Sequence, residues 1–229
     1  MILLLTCYMN QGKWKKIRKY WLKSCNIPFV FVVGNPTLEK KSYVYHSSEN
    51  ILEIGCEDNY DDLVCKIAYG INAMVQLFNP DFILKIDDDV IVDTIKLHKI
   101  LSEIAEMNQE FNDSIVYCGV NTDIKKPLRS IFGIDKYTKA CNQHTTLINP
   151  VSYCTGPMYY LGKDAMTILQ KYMDPELIKF EDVNVGMTLN KHGIFPYSVP
   201  FYVNSEEEFM LDKSAGWHDV DRKHVQNIM

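Results

Sequence analysis

Short apolar segments that alternate with longer amphipathic stretches are the feature that most limits how this sequence can fold. The apolar segments cover residues 2–7, 29–33, 51–54, 82–86 and 115–119. Segments of this length, separated by helical patterns, are typical of a mainly parallel β-sheet with helices on its faces. The sequence therefore predicts an α/β fold, a Rossmann-like α/β/α sandwich with a mainly parallel central sheet.

Helical periodicity fills several of the intervals between these strands. Apolar residues recur at helical spacing over residues 60–78, which predicts a helix packed on the sheet. The next helix is expected to begin after Asp93, because aspartate is a favourable N-cap residue. Further helices are predicted over residues 163–172 and 182–192, and Gly193 is expected to close the second of them.

Composition and charge place the chain among globular proteins and exclude some partners. Of its 229 residues, 47% are apolar and 23% are charged, which is enough for one domain with a sizeable core. We expect a single domain over residues 1–229, in which the polar residues 121–150 form an excursion or a flexible loop. The net charge of −5 argues against a general binder of nucleic acid or of anionic membranes.

The cysteines and the N-terminal residues bear on location. Seven cysteines are dispersed without a CxxC pair, which favours reduced thiols over a disulfide framework. The first residues lack the basic region of a signal sequence, and no run approaches the roughly 18 apolar residues of a membrane span. We therefore expect a soluble, cytoplasmic protein without a membrane span.

Three adjacent acids, Asp87, Asp88 and Asp89, follow the apolar segment 82–86. Ligands of open α/β sheets bind at the carboxyl ends of the strands, where this triplet is expected to lie. Neighbouring carboxylates repel one another, and a divalent cation such as Mg²⁺ or Mn²⁺ relieves that repulsion through oxygen ligands. Taken alone, the triplet fits a solvated acidic turn or a helix cap equally well.

Two further acids, Glu181 and Asp182, stand at the start of the predicted helix over residues 182–192. The backbone N–H groups and the dipole at a helix N-terminus favour an ionised carboxylate, which is the state that a general base needs before turnover. By itself, either acid is more simply explained as a helix cap.

Two weaker candidates lie in the second half of the chain. Residues 149–157 predict a rigid turn in which Gly156 lets the backbone approach a ligand and Tyr153 stacks on or hydrogen-bonds to a sugar. His218 is a candidate metal ligand, because imidazole is a common ligand of borderline metals. A lone histidine is more often a surface or core residue.

Five segments of the chain occur together in the order and approximate spacing of a known family. They are Ile17-Arg18-Lys19-Tyr20-Trp21, Asp58-Asn59-Tyr60-Asp61-Asp62-Leu63-Val64-Cys65-Lys66, Leu84-Lys85-Ile86-Asp87-Asp88-Asp89-Val90, Tyr153-Cys154-Thr155-Gly156 and Glu181-Asp182-Val183-Asn184-Val185-Gly186. In them the chain resembles the β-1,3-glycosyltransferases of family thirty-one, which include β-1,3-galactosyltransferases, β-1,3-N-acetylglucosaminyltransferases and Fringe proteins. The resemblance covers nearly the whole chain.

This resemblance implies a GT-A fold, a UDP-sugar donor, a Mn²⁺ or Mg²⁺ cofactor and transfer with inversion to an acceptor hydroxyl, for example of a glycan. It also implies a nucleotide-sugar-binding half over about residues 1–120 and an acceptor-binding and catalytic-base half over about residues 121–229.

The same resemblance assigns roles residue by residue. Asp182 is the expected general base, with Glu181 as its neighbour and substitute. The residues assigned to the nucleotide sugar are Thr6, Arg18, Lys66, Asp87 and Asp88. The residues assigned to the metal are Asp89, Asp88 and His218, and those assigned to the acceptor are Tyr153, Thr155 and Gly156.

The chain also departs from the family pattern. It begins directly at its first strand, whereas members from animals and plants usually carry a membrane anchor, so a Golgi location and a secreted-glycoprotein acceptor are not carried over. Leu22 follows Trp21, and Asp62 stands where the family usually has asparagine, which predicts altered contacts with the donor. Pro157 after Gly156 predicts an altered acceptor wall.

Other classes of protein also use acidic strand ends. A sugar nucleotidyltransferase is expected to carry a glycine-rich basic loop after the first strand, where residues 6–16 contain only Gly12. A phosphate-ester hydrolase is expected to carry an early Asp-x-Asp nucleophile, which the sequence lacks. A protein that binds a nucleotide sugar or a glycan without transferring it remains the non-enzymatic alternative.

Overall fold

The structure is a computed structural model that describes residues 1–110, 115–125, 128–129, 147–204 and 214–218. Its helices in these ranges are α1 (Gln11–Tyr20), α2 (Leu63–Phe78), α3 (Thr94–Glu110), α4 (Lys163–Tyr172) and α5 (Glu181–Lys191). Its strands are β1 (Ile2–Leu5), β2 (Phe29–Gly34), β3 (Tyr43–His46), β4 (Ile51–Ile54), β5 (Phe82–Asp87), β6 (Val90–Val92), β7 (Tyr117–Ile124), β8 (Leu128–Arg129), β9 (Leu147–Ile148), β10 (Val151–Gly162), β11 (Tyr197–Ser198), β12 (Tyr202–Val203) and β13 (Gly216–His218).

Eight of these strands form one sheet in the order β11-β7-β10-β5-β1-β2-β4-β3. Strand β1 lies near the centre and pairs in parallel with β2 and β5, and β2 pairs in parallel with β4. Strand β10 is antiparallel to both β5 and β7, and β3 is antiparallel to β4. The predicted α/β fold with a mainly parallel sheet is confirmed. A smaller sheet, β12-β13-β6, lies beside the end of β5.

The sheet is covered on both faces, and β1 shows why. All four of its residues are buried, as expected of a parallel strand between two helical layers. Leu4 faces a core that contains Trp14 and Ile17 of α1. Leu3 faces the opposite core, which contains Ile71 of α2. The side-chain period of two along a strand therefore builds two cores from one apolar run.

The helices predicted from periodicity are present with small changes at their ends. The helix predicted over residues 60–78 begins at Leu63, and the prediction over residues 163–172 matches α4. Asp93 caps α3, because its Oδ1 accepts the backbone N–H of Ile95 at 3.0 Å and that of Lys96 at 3.1 Å. Gly193 follows α5 with a φ of 81°, a backbone conformation that glycine adopts readily.

Helix α1 was not predicted, because its sequence is rich in lysine and its apolar stripe is too narrow to show as a helical periodicity. Only Trp14 and Ile17 of its ten residues are buried. Those two side chains are nevertheless large, and the Trp14 indole stacks on Phe31 of β2 with ring centroids 5.6 Å apart. Full burial of a large apolar side chain contributes about 1.5–3 kcal/mol, so two such residues are enough to seat a short helix.

The prediction of a rigid turn over residues 149–157 is wrong, because most of this segment lies in the twelve-residue strand β10. The register of β10 against β7 shifts between Cys154 and Tyr159. Pro157 lies inside the shift, and proline has no N–H to donate to a neighbouring strand. Proline and glycine here mark an irregularity within a strand and not the end of one.

The segment 121–150 is only partly described. Its first residues continue β7, and its short strands β8 and β9 pair in antiparallel fashion, while residues 126–127 and 130–146 lie outside the described ranges. The six cysteines in the described ranges are free thiols. In those ranges no helix has the length and apolar character needed to cross a bilayer.

Candidate active site

The triplet and the end of β1 meet at one edge of the sheet. Leu5 and Asp87 are partners in the parallel pairing of β1 with β5, so the next residues, Thr6 and Asp88, emerge side by side. Asp88 Oδ2 accepts hydrogen bonds from Thr6 Oγ1 at 2.5 Å and from Asn10 Nδ2 at 2.8 Å. Its Oδ1 lies 2.6 Å from Lys13 Nζ. Asp88 therefore ties the triplet to β1 and to α1.

Asp58 organises a second hydrogen-bonded network at this edge. Its Oδ1 accepts hydrogen bonds from Lys66 Nζ at 3.0 Å and from the Gly34 N–H at 2.8 Å. Its Oδ2 accepts the N–H of Tyr8 at 2.6 Å. Lys66 also donates to the carbonyl oxygen of Thr6 at 3.0 Å. Thr6 and Lys66, which were predicted to bind the nucleotide sugar, thus share one hydrogen-bonded network. Asp58 holds this network together, and the sequence analysis assigned it no role.

Arg18 makes its contacts away from the triplet. Its guanidinium lies 4.6 Å from the ring centroid of Phe31, and its Nη2 donates to the carbonyl oxygen of Glu49. It lines a cleft of about 510 Å³ between α1 and the β3–β4 hairpin, together with Tyr8 and Glu53. The donor role assigned to Arg18 stays a prediction.

Lys85 is the buried cation of the site. Only 1% of its side chain is exposed, and its Nζ lies 2.6 Å from Asp87 Oδ1 and 3.6 Å from Glu181 Oε2. It also donates to the carbonyl oxygen of Gly156. Burial acts to lower the pKa of Lys85, but the carboxylates of Asp87 and Glu181 outweigh it and raise that pKa. Burial also raises the pKa of Asp87, and the ammonium 2.6 Å away opposes that shift, so each partner of this pair stabilises the charge of the other.

The two acids at the start of α5 have different surroundings. Glu181 is buried, and its Oε1 accepts the hydroxyl of Tyr159 while its Oε2 faces Lys85. Asp182 is only partly buried, and its Oδ2 accepts the N–H of Gly156 at 3.0 Å. Burial and the charge of Glu181 raise the pKa of Asp182 to about 6. Asp182 is thus the more accessible acid, and it is ionised at neutral pH.

A wall of β10 residues stands beside Asp182. Thr155 Oγ1 donates to the carbonyl oxygen of Val120 at 2.8 Å and lies 2.5 Å from the hydroxyl of Tyr202. A threonine hydroxyl has one proton, so in this pairing Tyr202 is the donor to Thr155. A Cβ at Gly186 would approach the Cβ of Tyr153 to 2.4 Å, so α5 needs glycine there to hold Tyr153 in place. Tyr202 belongs to no motif of the sequence.

Asp89 and His218 form the part of the site that fits a cation. His218 pairs with Val90 across β13 and β6, which brings its Nε2 to 3.7 Å from Asp89 Oδ1. That Asp89 oxygen is buried and has no hydrogen-bond partner, as expected of an atom that a cation satisfies. Across the described ranges, no three acidic, imidazole or thiol groups converge on one point. A cation held here would complete its coordination with water or substrate phosphate.

The chain is similar in sequence to known galactosyltransferases. The family model for Galactosyltransferase matches residues 8–200. Beta-1,3-galactosyltransferase 1 of Mus musculus and that of Homo sapiens are each 23% identical to this chain, over 86% of it and 61% of the relative. The chain thus spans about three fifths of the length of these curated relatives.

A solved structure shows the same fold. It is that of a glycosyltransferase involved in the glycosylation of the major capsid of PBCV-1, which matches with a TM-score of 0.52 and 14% identity over 99% of this chain and 98% of its own. The expected GT-A fold is confirmed.

Removing the charge of Asp58 tests the donor-side network. We expect Asp58→Asn to lower the free energy of unfolding by about 3 kcal/mol, because it leaves the buried ammonium of Lys66 without its carboxylate. Urea denaturation measures the change. Asp81→Asn is the matched control, since it breaks the exposed Asp81–Lys163 pair and should leave the midpoint unchanged. Equal midpoints for both variants would contradict the assignment.

Proposed function

This chain belongs to the galactosyltransferase family, and on that basis we propose that it is an inverting glycosyltransferase that moves a hexose from a UDP-sugar to an acceptor hydroxyl of a glycan. The observation that carries the proposal is the contact of one buried ammonium, Lys85, with both Asp87 and Glu181. Through it the donor-side triplet and the acid pair at the start of α5 belong to one network of charges.

On the donor side, we assign Asp87 to the nucleotide sugar. It is the most exposed member of the triplet, with 30% of its side chain accessible, against 9% for Asp88 and 16% for Asp89. Asp88 already accepts three hydrogen bonds, so its contribution is to fix the triplet relative to Thr6 and Lys13. A direct contact of Asp88 with donor or metal would displace one of those partners.

We assign a Mn²⁺ or Mg²⁺ ion to Asp89 and His218, whose buried oxygen and nearby imidazole fit it. When bound, such a cation stabilises the negative charge that develops on the leaving diphosphate. Aspartate and histidine together suit a borderline metal, and the remaining ligands come from water and the donor phosphates.

On the acceptor side, Asp182 is the general base. The acceptor oxygen attacks the anomeric carbon, the bond from that carbon to the β-phosphate oxygen breaks, and the acceptor proton passes to the Asp182 carboxylate. That carboxylate accepts two backbone N–H groups, from Gly156 and Val183, and a carboxylate has lone pairs left for a third donor. We assign Tyr153, Thr155 and Tyr202, which belong to the adjoining wall, to the acceptor.

Neutralising Asp182 separates transfer from binding. We expect Asp182→Asn to lower kcat by at least about 100-fold, because the amide cannot take the acceptor proton. UDP should still raise the melting temperature of this variant, since its binding does not need the base. Asp164→Asn is the matched control, because Asp164 also lies in the first turn of a helix, α4. Full turnover in Asp182→Asn with intact UDP binding would reject the base assignment.

The pH dependence follows from the same carboxyl group. The pKa of Asp182 is raised to about 6, and only the ionised form accepts a proton. Activity should therefore fall as pH drops through about 6 and level off above it. The measurement is kcat/KM for UDP release across the acid range. An acid limb at the usual aspartate value would show that another group limits the rate.

Removing the metal candidates should weaken cation binding. We expect Asp89→Asn and His218→Ala each to raise the apparent Kd for Mn²⁺ at least about 10-fold, because a site with two protein ligands loses half of them. Calorimetric titration with Mn²⁺ measures this without turnover. His98→Ala on α3 is the control, and a Kd that is equal in all three variants would rule out this site.

A further inference from the structure

We propose that Lys85 is a positioning residue that fixes the general base relative to the donor-side carboxylate, by clamping the Gly156 peptide between them. It rests on the proposed function, because it takes Asp182 as the base.

The ammonium of Lys85 has contacts on three separate elements. On its own strand β5 it lies 2.6 Å from Asp87 Oδ1. On β10 it donates to the carbonyl oxygen of Gly156, and on α5 it lies 3.6 Å from Glu181 Oε2. One cation therefore joins the triplet, the acceptor wall and the acid pair, which are far apart in the sequence.

The Gly156 peptide transmits this position to the base. Its carbonyl oxygen accepts from Lys85, and the N–H of Gly156 donates to Asp182 Oδ2 at 3.0 Å. Gly156 lies directly against the acid pair, because a Cβ there would be in van der Waals contact, at 3.6 Å, with the same Asp182 oxygen. A shift of the lysine therefore moves the residue that holds the base.

The surroundings of the ammonium argue for positioning and against a direct chemical role. Asp87 and the Gly156 carbonyl lie within hydrogen-bond distance of Nζ, and Glu181 Oε2 adds an ion pair at 3.6 Å. The side chain is 1% exposed, and its Nζ lies 5.4 Å from the ring centroid of Tyr159 on the adjacent strand. Substrate has no open path to it, so Lys85 acts through its neighbours.

The charge of Lys85 also offsets a local excess of carboxylates. Glu181 raises the pKa of Asp182, and Lys85 and the N–H groups of Val183 and Gly156 lower it. Burial and the charge of Asp182 in turn raise the pKa values of the neutral groups around that acid, which are Tyr117, Tyr153, Cys154, Tyr159 and Tyr202. Without the ammonium, the base would be harder to ionise, and its pKa would rise above about 6.

Lys85→Met tests the proposal, because methionine keeps much of the length and loses the charge. We expect kcat to fall about 100-fold, since a small misplacement of a base slows the chemical step. The KM for the UDP-sugar should rise by much less than that, through the loss of the partner of Asp87. We also expect the acid limb of the kcat/KM profile to move to higher pH. An unchanged kcat, or an unmoved acid limb, would overturn the proposal.

Lys66→Met is the matched control. Lys66 is also 1% exposed and paired with a carboxylate, but its partners Asp58 and Thr6 lie on the donor side. We expect a similar loss of stability in urea, a raised KM for the UDP-sugar and an acid limb at the parental pH. A shifted limb in Lys66→Met would mean that losing any buried lysine produces the effect, and would count against Lys85.

Lys85→Arg keeps the test decisive if Lys85→Met does not fold. Arginine retains the charge but places it differently, so we expect a lower kcat with the acid limb unmoved. Parental kcat in this variant would overturn the proposal. If the parent chain transfers sugar from no UDP-sugar, the proposed function is rejected. If the parent is active and Lys85→Met is equally active, only the role of Lys85 is rejected.

Discussion

The parallel pairing of β1 with β5 is the constraint on which the site depends. Because Leu5 is the partner of Asp87, the two strands end at the same level. The residues that follow them, Thr6 and Asp88, are therefore immediate neighbours. Thr6 and Asp88 can then share a hydrogen bond, and α1 is drawn to the same edge through Lys13 and Asn10. A slip of one residue between these strands would send Asp88 to the opposite face.

The site gathers five carboxylates, and their surroundings are of four different kinds. Asp88 is neutralised by Lys13 and by neutral donors, so it acts as part of the framework. Asp87 and Glu181 share the buried Lys85. Asp89 keeps a buried oxygen without a hydrogen-bond partner, and Asp182 relies on backbone N–H groups. The acids with the least protein compensation are the ones to which we assign cation and proton.

Much of the fold could be predicted from the sequence, and so could the segments that build the site. Apolar runs gave the central strands, because a strand buried on both faces needs apolar residues throughout. Side-chain partners were harder: Lys85 was visible as a charge inside an apolar strand, but its contacts with β10 and α5 depend on tertiary packing. Tyr202 lies in a two-residue strand outside every motif, and neither periodicity nor spacing marks so short an element.

The shifted register of β10 divides that strand into two parts that pair with different numbers of neighbouring strands. Residues from Met158 to Gly162 pair with β5 in the centre of the sheet, while Val151 to Cys154 pair only with β7. The segment 158–162 is thus held between two strands of the sheet, whereas the segment 151–154 is paired on one side only, although Val151 and Cys154 are buried. Residues such as Tyr153 and Thr155 can be exchanged during evolution without breaking the central pairing. Under the proposed function, changes at a few positions ahead of Pro157 would alter the acceptor and leave the central pairing of the sheet intact.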